Sequence, residues 1–349
     1  MKRIKPVGLV RRPLVSVVIP CYNYARYLPD AVSSVLDQTE VDLELIIVDD
    51  ASADDSPQIA ARFAAADERI RLVRHTRNMG HIATYNDGLS RVSGEYVVLL
   101  SADDMLAPGS LARSTALMEA RPEVVLAYGY AMEFKDSVPP APGKRASWSV
   151  WSGEDWMRAV CRSGSNVVVN PEAILRRSAM DQLVGYRADM PHAADMDLWL
   201  RAASMGHVGR VNGPVQAFYR VHGSNMHLTD YRGLLTDLRA RREVFDGLGE
   251  GPGGIGRPRV LADKARRALA SEALREANQL LDVSGDAQAA SELAEFAADT
   301  DQGSTRSALW LSYQLRRRRR LSELQRRLSK EAYRWRWSLR WRRWRRFGV

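Results

Sequence analysis

The chain has 349 residues, 45% of them apolar, which suits one large domain with appendages or two domains around a substantial core. No run approaches the length of a membrane span, and the two cysteines, Cys21 and Cys161, support neither a disulfide framework nor a cysteine-based zinc site. The net charge of +9 is unevenly spread: residues 316–349 carry 15 Lys and Arg against 2 Glu, so the rest nets −4 (+9 less +13).

The lead, residues 1–12, is basic and offers no secretory core. These features set the expectation of a cytoplasmic protein. "PLVSVVIPCYNYARYLPDAVSSVLDQ" predicts a strand, a turn and a helix. Val15 to Ile19 is too short for a helix and ends at Pro20; Leu28, Ala31, Val32, Val35 and Leu36 then recur at helical spacing. "LELIIVDDAS" predicts a second buried strand running into Asp49 and Asp50. "SPQIAARFAAAD" predicts a helix with Ser56 as N-cap and Pro57 at its first position. A third strand, "IRLVRH", a third helix, "HIATYNDGLSRV", and a fourth strand, "GEYVVLLSADD", follow. Strands alternating with helices at this spacing predict βαβ units and a parallel sheet. Ligands of such sheets sit at the carboxyl ends of the strands, where Tyr22, Asp50, Asp103 and Asp104 fall.

The middle is less regular. "SVPPAPGKRASW" predicts a loop, "WSGEDWMRAVC" and "PHAADMDLWLRAASMG" predict helices, and "VGRVNGPVQAFYRVHGSN" predicts returning strands. Beyond about Tyr231 the chain is helical, with the linker "GEGPGGIGRP" and alanine-rich segments after it.

Adjacent carboxylates repel and lose hydration near an interior. At a strand end they serve as helix caps, as solvated turn residues, or as oxygen ligands for a hard divalent cation. Asp54 and Asp55, just before Ser56, fit the first two roles. Asp103 and Asp104 follow a buried strand and precede a short loop at the crevice, which suits Mg²⁺ or Mn²⁺ shared with substrate phosphates.

Three segments, "VSVVIPCYNYARYLPDAVSSVLDQT", "ELIIVDDAS" and "NMGHIATYNDGLSRVSGEYVVLLSADDML", resemble the nucleotide-sugar-binding half of the family 2 glycosyltransferases. The resemblance covers residues 13–135 closely and extends loosely to 228. It implies a GT-A fold, a Rossmann-like, mostly parallel α/β sheet with flanking helices, and an inverting, non-processive transferase. Position by position it implies that Tyr22 stacks on the nucleobase and Asp50 hydrogen-bonds it, with Pro20, Asn23, Asn78, Asn86 and Asp103 also on the nucleotide sugar. Asp104 would be the direct metal ligand, with His222 near metal and diphosphate. Asp195 would deprotonate the acceptor hydroxyl. The implied cofactor is Mn²⁺ or Mg²⁺; the implied partners are a nucleotide-diphosphate sugar, with UDP favoured, and a glycan or lipid-linked acceptor. Two departures stand out: Ala194 where relatives often carry Glu before the catalytic Asp, and Tyr85-Asn86 where they often carry Arg-Asn. Asp195 and Asp197 also admit a plain reading as solvated helical acids, and His222 as a structural strand residue.

The tail, residues 316–349, carries four of the nine tryptophans. Wound as a helix it aligns Leu321, Leu324, Leu328, Trp335 and Leu339 on one side, and Tyr333, Trp337, Trp341 and Trp344 nearly opposite. One stripe suits packing on the protein and the other a lipid interface, where Trp and Arg are favoured. An anionic membrane surface is the preferred partner, ahead of nucleic acid and of a solvated tail. "RWRRW" (340–344) also resembles a motif of processive synthases, but it lies far past Asp195 and precedes no membrane span. The expected organisation is thus 1–12 lead, 13–228 GT-A domain, 229–315 helical region and 316–349 amphipathic tail, on an enzyme peripheral to the inner membrane face. A nucleotidyltransferase and a non-catalytic nucleotide-sugar-binding module are the alternatives; the first is disfavoured because "PCYNYARY" has neither glycines nor Lys.

Overall fold

The structure is a computed structural model. It describes residues 1–349 except 142, 224, 226–232, 250–252 and 319–322, and within the last helix it omits the side chains of 323, 324, 336, 337, 340, 341, 343 and 345–347.

The strands are β1 (Lys2–Ile4), β2 (Leu14–Cys21), β3 (Asp42–Asp49), β4 (Ile70–Arg74), β5 (Tyr96–Leu99), β6 (Met105–Leu106), β7 (Val124–Tyr128), β8 (Ala131–Phe134), β9 (Ser147–Trp151), β10 (Ile174–Arg176), β11 (His207–Asn212) and β12 (Ala217–Arg220). The helices are α1 (Leu28–Leu36), α2 (Ser56–Ala66), α3 (His81–Leu89), α4 (Ser110–Ala120), α5 (Gly153–Ser163), α6 (Arg177–Leu183), α7 (Ala194–Met205), α8 (Leu234–Asp246), α9 (Pro258–Val283), α10 (Ala287–Thr300), α11 (Ala308–Arg318) and α12 (Glu323–Phe347).

A large sheet runs β1-β9-β11-β7-β10-β5-β2-β3-β4, and a small one runs β6-β12-β8. In the large sheet β4, β3, β2 and β5 are parallel neighbours, as the βαβ spacing predicts. Only β9 and β10 oppose the common direction, because β10 pairs antiparallel with both β5 and β7 and β9 antiparallel with β11 and β1. Val15, Val17, Val18, Ile19, Leu45, Ile46, Ile47 and Val48 are all fully buried. That is why β2 and β3 read as continuous apolar runs, with helices covering both faces of the sheet. Full burial of each such side chain stabilises the fold by about 1.5–3 kcal/mol. Gly88 lets α3 lie close to the sheet, since a Cβ there would collide with Val18.

Several details differ from the sequence reading, among them the antiparallel strands β9 and β10, which the sequence does not mark. Residues 2–4 of the lead form an edge strand on β9, with Ile4 opposite Trp148. The cap of α2 is Asp55, one residue earlier than expected, and Ser56 is instead buried, accepting from the Tyr24 N–H.

The chain divides into two compact units. The first holds Met1–Trp156 and Val168–Asn225, hence both sheets. The expected boundary at 228 lies outside the described residues. The second is helical: Leu261, Ala265, Leu269, Ala273 and Ala277 of α9 recur every fourth residue and are buried, α10 packing on this alanine-rich helix. Among the described residues no helix is long and apolar enough to cross a membrane.

Candidate functional site

The parallel half of the sheet delivers β2, β3, β4 and β5 to one edge, and the loops leaving them are sewn together. Asn23, in the left-handed region at φ 59°, donates its N–H to Ser52 Oγ at 2.9 Å and accepts from the Ala53 N–H at 2.8 Å. Asp54 accepts from the Ala25 N–H at 3.0 Å and from the Ser56 N–H at 2.9 Å, the turn role expected of it. Tyr22, in the loop that follows β2, has 45% of its surface exposed, and Pro20 lies in β2 opposite Val48.

Asp50, just past β3, is buried. Its carboxylate accepts from the N–H groups of Met79 (2.7 Å) and Gly80 (2.9 Å), and lies 2.7 Å from His75 Nδ1. The far nitrogen of His75 lies 3.1 Å from Asp87 Oδ2. Burial works against charge on His75, but its bonds to Asp50 and Asp87 outweigh it and hold the imidazole pKa above its ordinary value. Asn78 accepts the Gly80 N–H at 3.0 Å and so shapes the same turn.

The acid pair follows β5. Asp103 and Asp104 are 6% and 2% exposed. Asp103 Oδ2 lies 2.9 Å from His222 Nε2 and accepts from Asn225 Nδ2 at 3.4 Å. Asp104 Oδ1 accepts the Arg220 backbone N–H at 2.8 Å. The Arg220 guanidinium donates to the Asp103 carbonyl at 2.9 Å and to Asp30 at 2.7 Å, over the rings of Tyr27 and Phe134. Tyr27 stacks on His222 with ring centroids 4.8 Å apart. Burial, and then the charge of Asp103, push the Asp104 carboxyl well above the usual carboxylate range. Among the described residues no three His, Cys, Asp or Glu side chains form a ready-made metal cage. A hard cation that takes one or two carboxylates and completes its shell with phosphates and water needs none, so this donor set fits Mg²⁺ or Mn²⁺.

Asp195 sits in the first turn of α7 and accepts the Tyr186 hydroxyl at 2.5 Å. Burial raises its carboxyl pKa, while the hydrogen bond from Tyr186 and the nearby His81 pull it down. Asp197 is buried and paired with Arg201 at 2.7 Å. Of the two acids, Asp197 is thus committed to an ion pair, while Asp195 is partly exposed.

Asp103, Asp104 and His222 come together as the motifs imply. Asn86 does something else: its amide accepts the Tyr186 N–H at 2.8 Å and donates to the Tyr186 carbonyl at 2.9 Å. Tyr186, Tyr27, Arg220 and Asn225 were not singled out from the sequence. Arg220 and Asn225 flank His222 in "FYRVHGSN", so the motif held them; nothing local marks Tyr186 or Tyr27.

The signature of Glycosyl transferase family 2 matches residues 16–184. Residues 16–184, just under half of the chain, thus resemble a family 2 glycosyltransferase domain. The domain is similar to the glycosyltransferase TuaG of Bacillus subtilis (strain 168), whose name assigns it provisionally to teichuronic acid biosynthesis. The two are 38% identical over 128 residues, covering 37% of this chain and 51% of TuaG. Chondroitin synthase of Escherichia coli is 28% identical over 212 residues, 60% of this chain and 29% of that one. The chain thus spans about half of the first relative and under a third of the second. A crystal structure of S. aureus TarS 1-349 in complex with UDP-GlcNAc matches with a TM-score of 0.60 at 16% identity, covering 92% of this chain and 91% of that one. The mannosyltransferase PcManGT from Pyrobaculum calidifontis, in complex with GDP-Man and Mn²⁺, matches at 0.53 and 20% identity, covering 89% and 88%. These likenesses place the fold in the GT-A class.

Proposed function

We propose that the domain transfers a sugar from a nucleotide-diphosphate sugar, with UDP as favoured nucleotide, to a hydroxyl of a glycan or lipid-linked acceptor, with inversion and with a divalent cation. One observation carries this reading. Tyr85 links the two groups of acids: its hydroxyl lies 3.3 Å from Ser101 Oγ, the Ser101 carbonyl accepts the Asp104 N–H at 3.1 Å, and its ring lies 5.2 Å from that of Tyr186, which donates to Asp195, so the metal-type pair and the base-type acid lie near one another.

Within that site Tyr22 offers an exposed ring for base stacking. Three of the roughly four lone-pair sites of the Asp50 carboxylate are filled by protein donors, leaving one for a base N–H. Asp104, with Asp103 and His222 beside it, would hold Mg²⁺ or Mn²⁺, which when bound supplies charge neutralisation for the departing diphosphate. Asp195 takes the proton of the acceptor hydroxyl as the new bond to the anomeric carbon forms and the bond to the diphosphate oxygen breaks. The nucleoside diphosphate leaves with that bonding pair. A single base opposite the leaving group gives displacement with inversion.

The tail supplies the proposed membrane partner. Its Tyr333 donates to Glu276 at 3.0 Å, its Trp344 indole to the Val167 carbonyl at 3.0 Å and its Ser329 to Asp282 at 2.5 Å. That side of α12 is turned to protein. Leu328, Trp335 and Leu339, at 62%, 68% and 42% exposure, form the outward side, with Arg326, Arg327, Lys330 and Arg334 exposed around them. Leu321 lies outside the described residues, as do the side chains of Leu324, Trp337 and Trp341. An apolar strip within basic residues suits an anionic lipid surface.

The test is a panel of nucleotide sugars incubated with the full chain, with and without Mn²⁺. Slow, metal-dependent release of free nucleotide from one of them is expected. Metal-dependent binding without any release would favour a binding module instead, and no binding at all would remove the donor site.

A further inference from the structure

We propose that Tyr186 is the positioning residue of the Asp195 base: it fixes one carboxylate oxygen and leaves the other for the acceptor hydroxyl, and Asn86 and Gly185 hold Tyr186 in place for it. The inference rests on the reading of Asp195 as the base and goes beyond it by saying how the base is oriented where Ala194 stands before it.

The Tyr186 hydroxyl meets Asp195 Oδ1 at 2.5 Å. A carboxylate that turns freely presents either oxygen at any angle, whereas one held by a short O–H···O⁻ bond presents the other oxygen in one direction. The tyrosine itself has little freedom. Its ring is 4% exposed and rests against Tyr85 with centroids 5.2 Å apart. Its backbone N–H and C=O are both clamped by the single amide of Asn86. Gly185 permits that clamp twice over: its φ is +76°, and a Cβ there would collide with Asn86 Oδ1. Arg201, braced on Asp197, donates to the carbonyls of Leu183 and Gly185 at 2.8 Å each and fixes the turn leading into Tyr186. Tyr85 is anchored in turn, its hydroxyl accepting from Asn170 Nδ2 at 3.1 Å and lying 3.3 Å from Ser101 Oγ.

Tyr85 thus packs on the tyrosine that holds the base. The other titratable groups around Asp195 are Tyr85 and His81 from α3 and Tyr219 from β12, while Asp197 on its own helix is turned to Arg201. Because the Tyr186 O–H stabilises the ionised carboxylate, its loss raises the pKa of Asp195 and moves the acid limb of activity to higher pH.

Tyr186→Phe keeps the ring and the Asn86 clamp and removes only the hydroxyl. In the full chain, kcat for metal-dependent nucleotide release from UDP-GlcNAc and the other sugars of the panel should fall about ten-fold, with KM for the donor unchanged. The acid limb should move up by about one pH unit. Carbon-13 NMR of labelled Asp carboxyls, with the Asp195 signal assigned from Asp195→Asn, should show the same rise without any turnover. Asn86→Ser should move both readouts the same way by less, and it serves if Tyr186→Phe does not fold. An unchanged Asp195 titration and pH profile in Tyr186→Phe would overturn the inference. Failure of the base reading looks different: Asp195→Asn would then keep near wild-type turnover, whereas that reading expects a loss of roughly 10²–10⁴-fold.

Discussion

The crevice at the ends of β2, β3 and β5 and the helix α12 both concentrate charge, and they are built in opposite ways. In the crevice the charges are buried and each is fixed by groups far away in sequence: Asp104 by the Arg220 backbone, Asp103 by His222, Asp50 by the loop after β4. On α12 the charges are exposed, and what anchors the helix is a few polar contacts on its inner side, Ser329, Tyr333 and Trp344. Buried charge at fixed geometry suits recognition of one ligand and chemistry upon it. Exposed charge on a surface helix suits attraction to an extended, fluid partner.

The sharpest way to break this comparison is to remove one member of a buried pair. Asp197→Asn leaves Arg201, whose side chain is only 12% exposed, without its counter-charge and should cost about 3–5 kcal/mol of stability in denaturant unfolding. Arg334→Gln on α12, whose partner Glu331 is also exposed, should change stability by less than about 1 kcal/mol. Comparable losses for the two would mean that buried and exposed ion pairs are not held differently in this chain.

A second effect is one of pH. The folded His75 pKa is raised, so its bonds to Asp50 and Asp87 contribute stability that is present below 6.5 and fades as pH rises through the higher folded value. Thermal unfolding from pH 5 to 9 should show this loss in the wild type, and His75→Gln should flatten it. A loss of equal size in the mutant would separate the effect from His75.

The α12 effect should be smaller still. Leu328→Glu with Trp335→Glu should weaken sedimentation with anionic vesicles several-fold or more, because it removes two apolar contacts and sets two negative charges against the anionic surface. Tyr333→Phe, on the inner side, should leave vesicle binding unchanged. Deleting 316–349 is a poorer test, because Arg316 pairs with the buried Asp282 and the deletion would strip that partner away.

The same contrast explains what could be read from the sequence. The strands of the parallel half were legible because burial on both faces writes continuous apolar runs such as "LIIV", and the acids were legible because each ends such a run. The antiparallel β9 and β10 were not, since short strands between loops carry no periodicity of their own. Asn86 sits in the right motif, yet its partner is the backbone of Tyr186, a hundred residues on, and no local pattern encodes a contact of that span. On α12 the helical spacing showed two stripes, but only tertiary packing decides which of them faces α9.

The central claim is that Asp104 holds the cation that binds the diphosphate. Titration calorimetry of UDP against wild type and Asp104→Ala, with and without Mn²⁺, tests it directly. The account predicts that Mn²⁺ strengthens UDP binding to the wild type, and that Asp104→Ala abolishes this metal-dependent gain while binding UDP alone as before. An Asp104→Ala protein whose UDP affinity rises with Mn²⁺ as much as that of the wild type would contradict it.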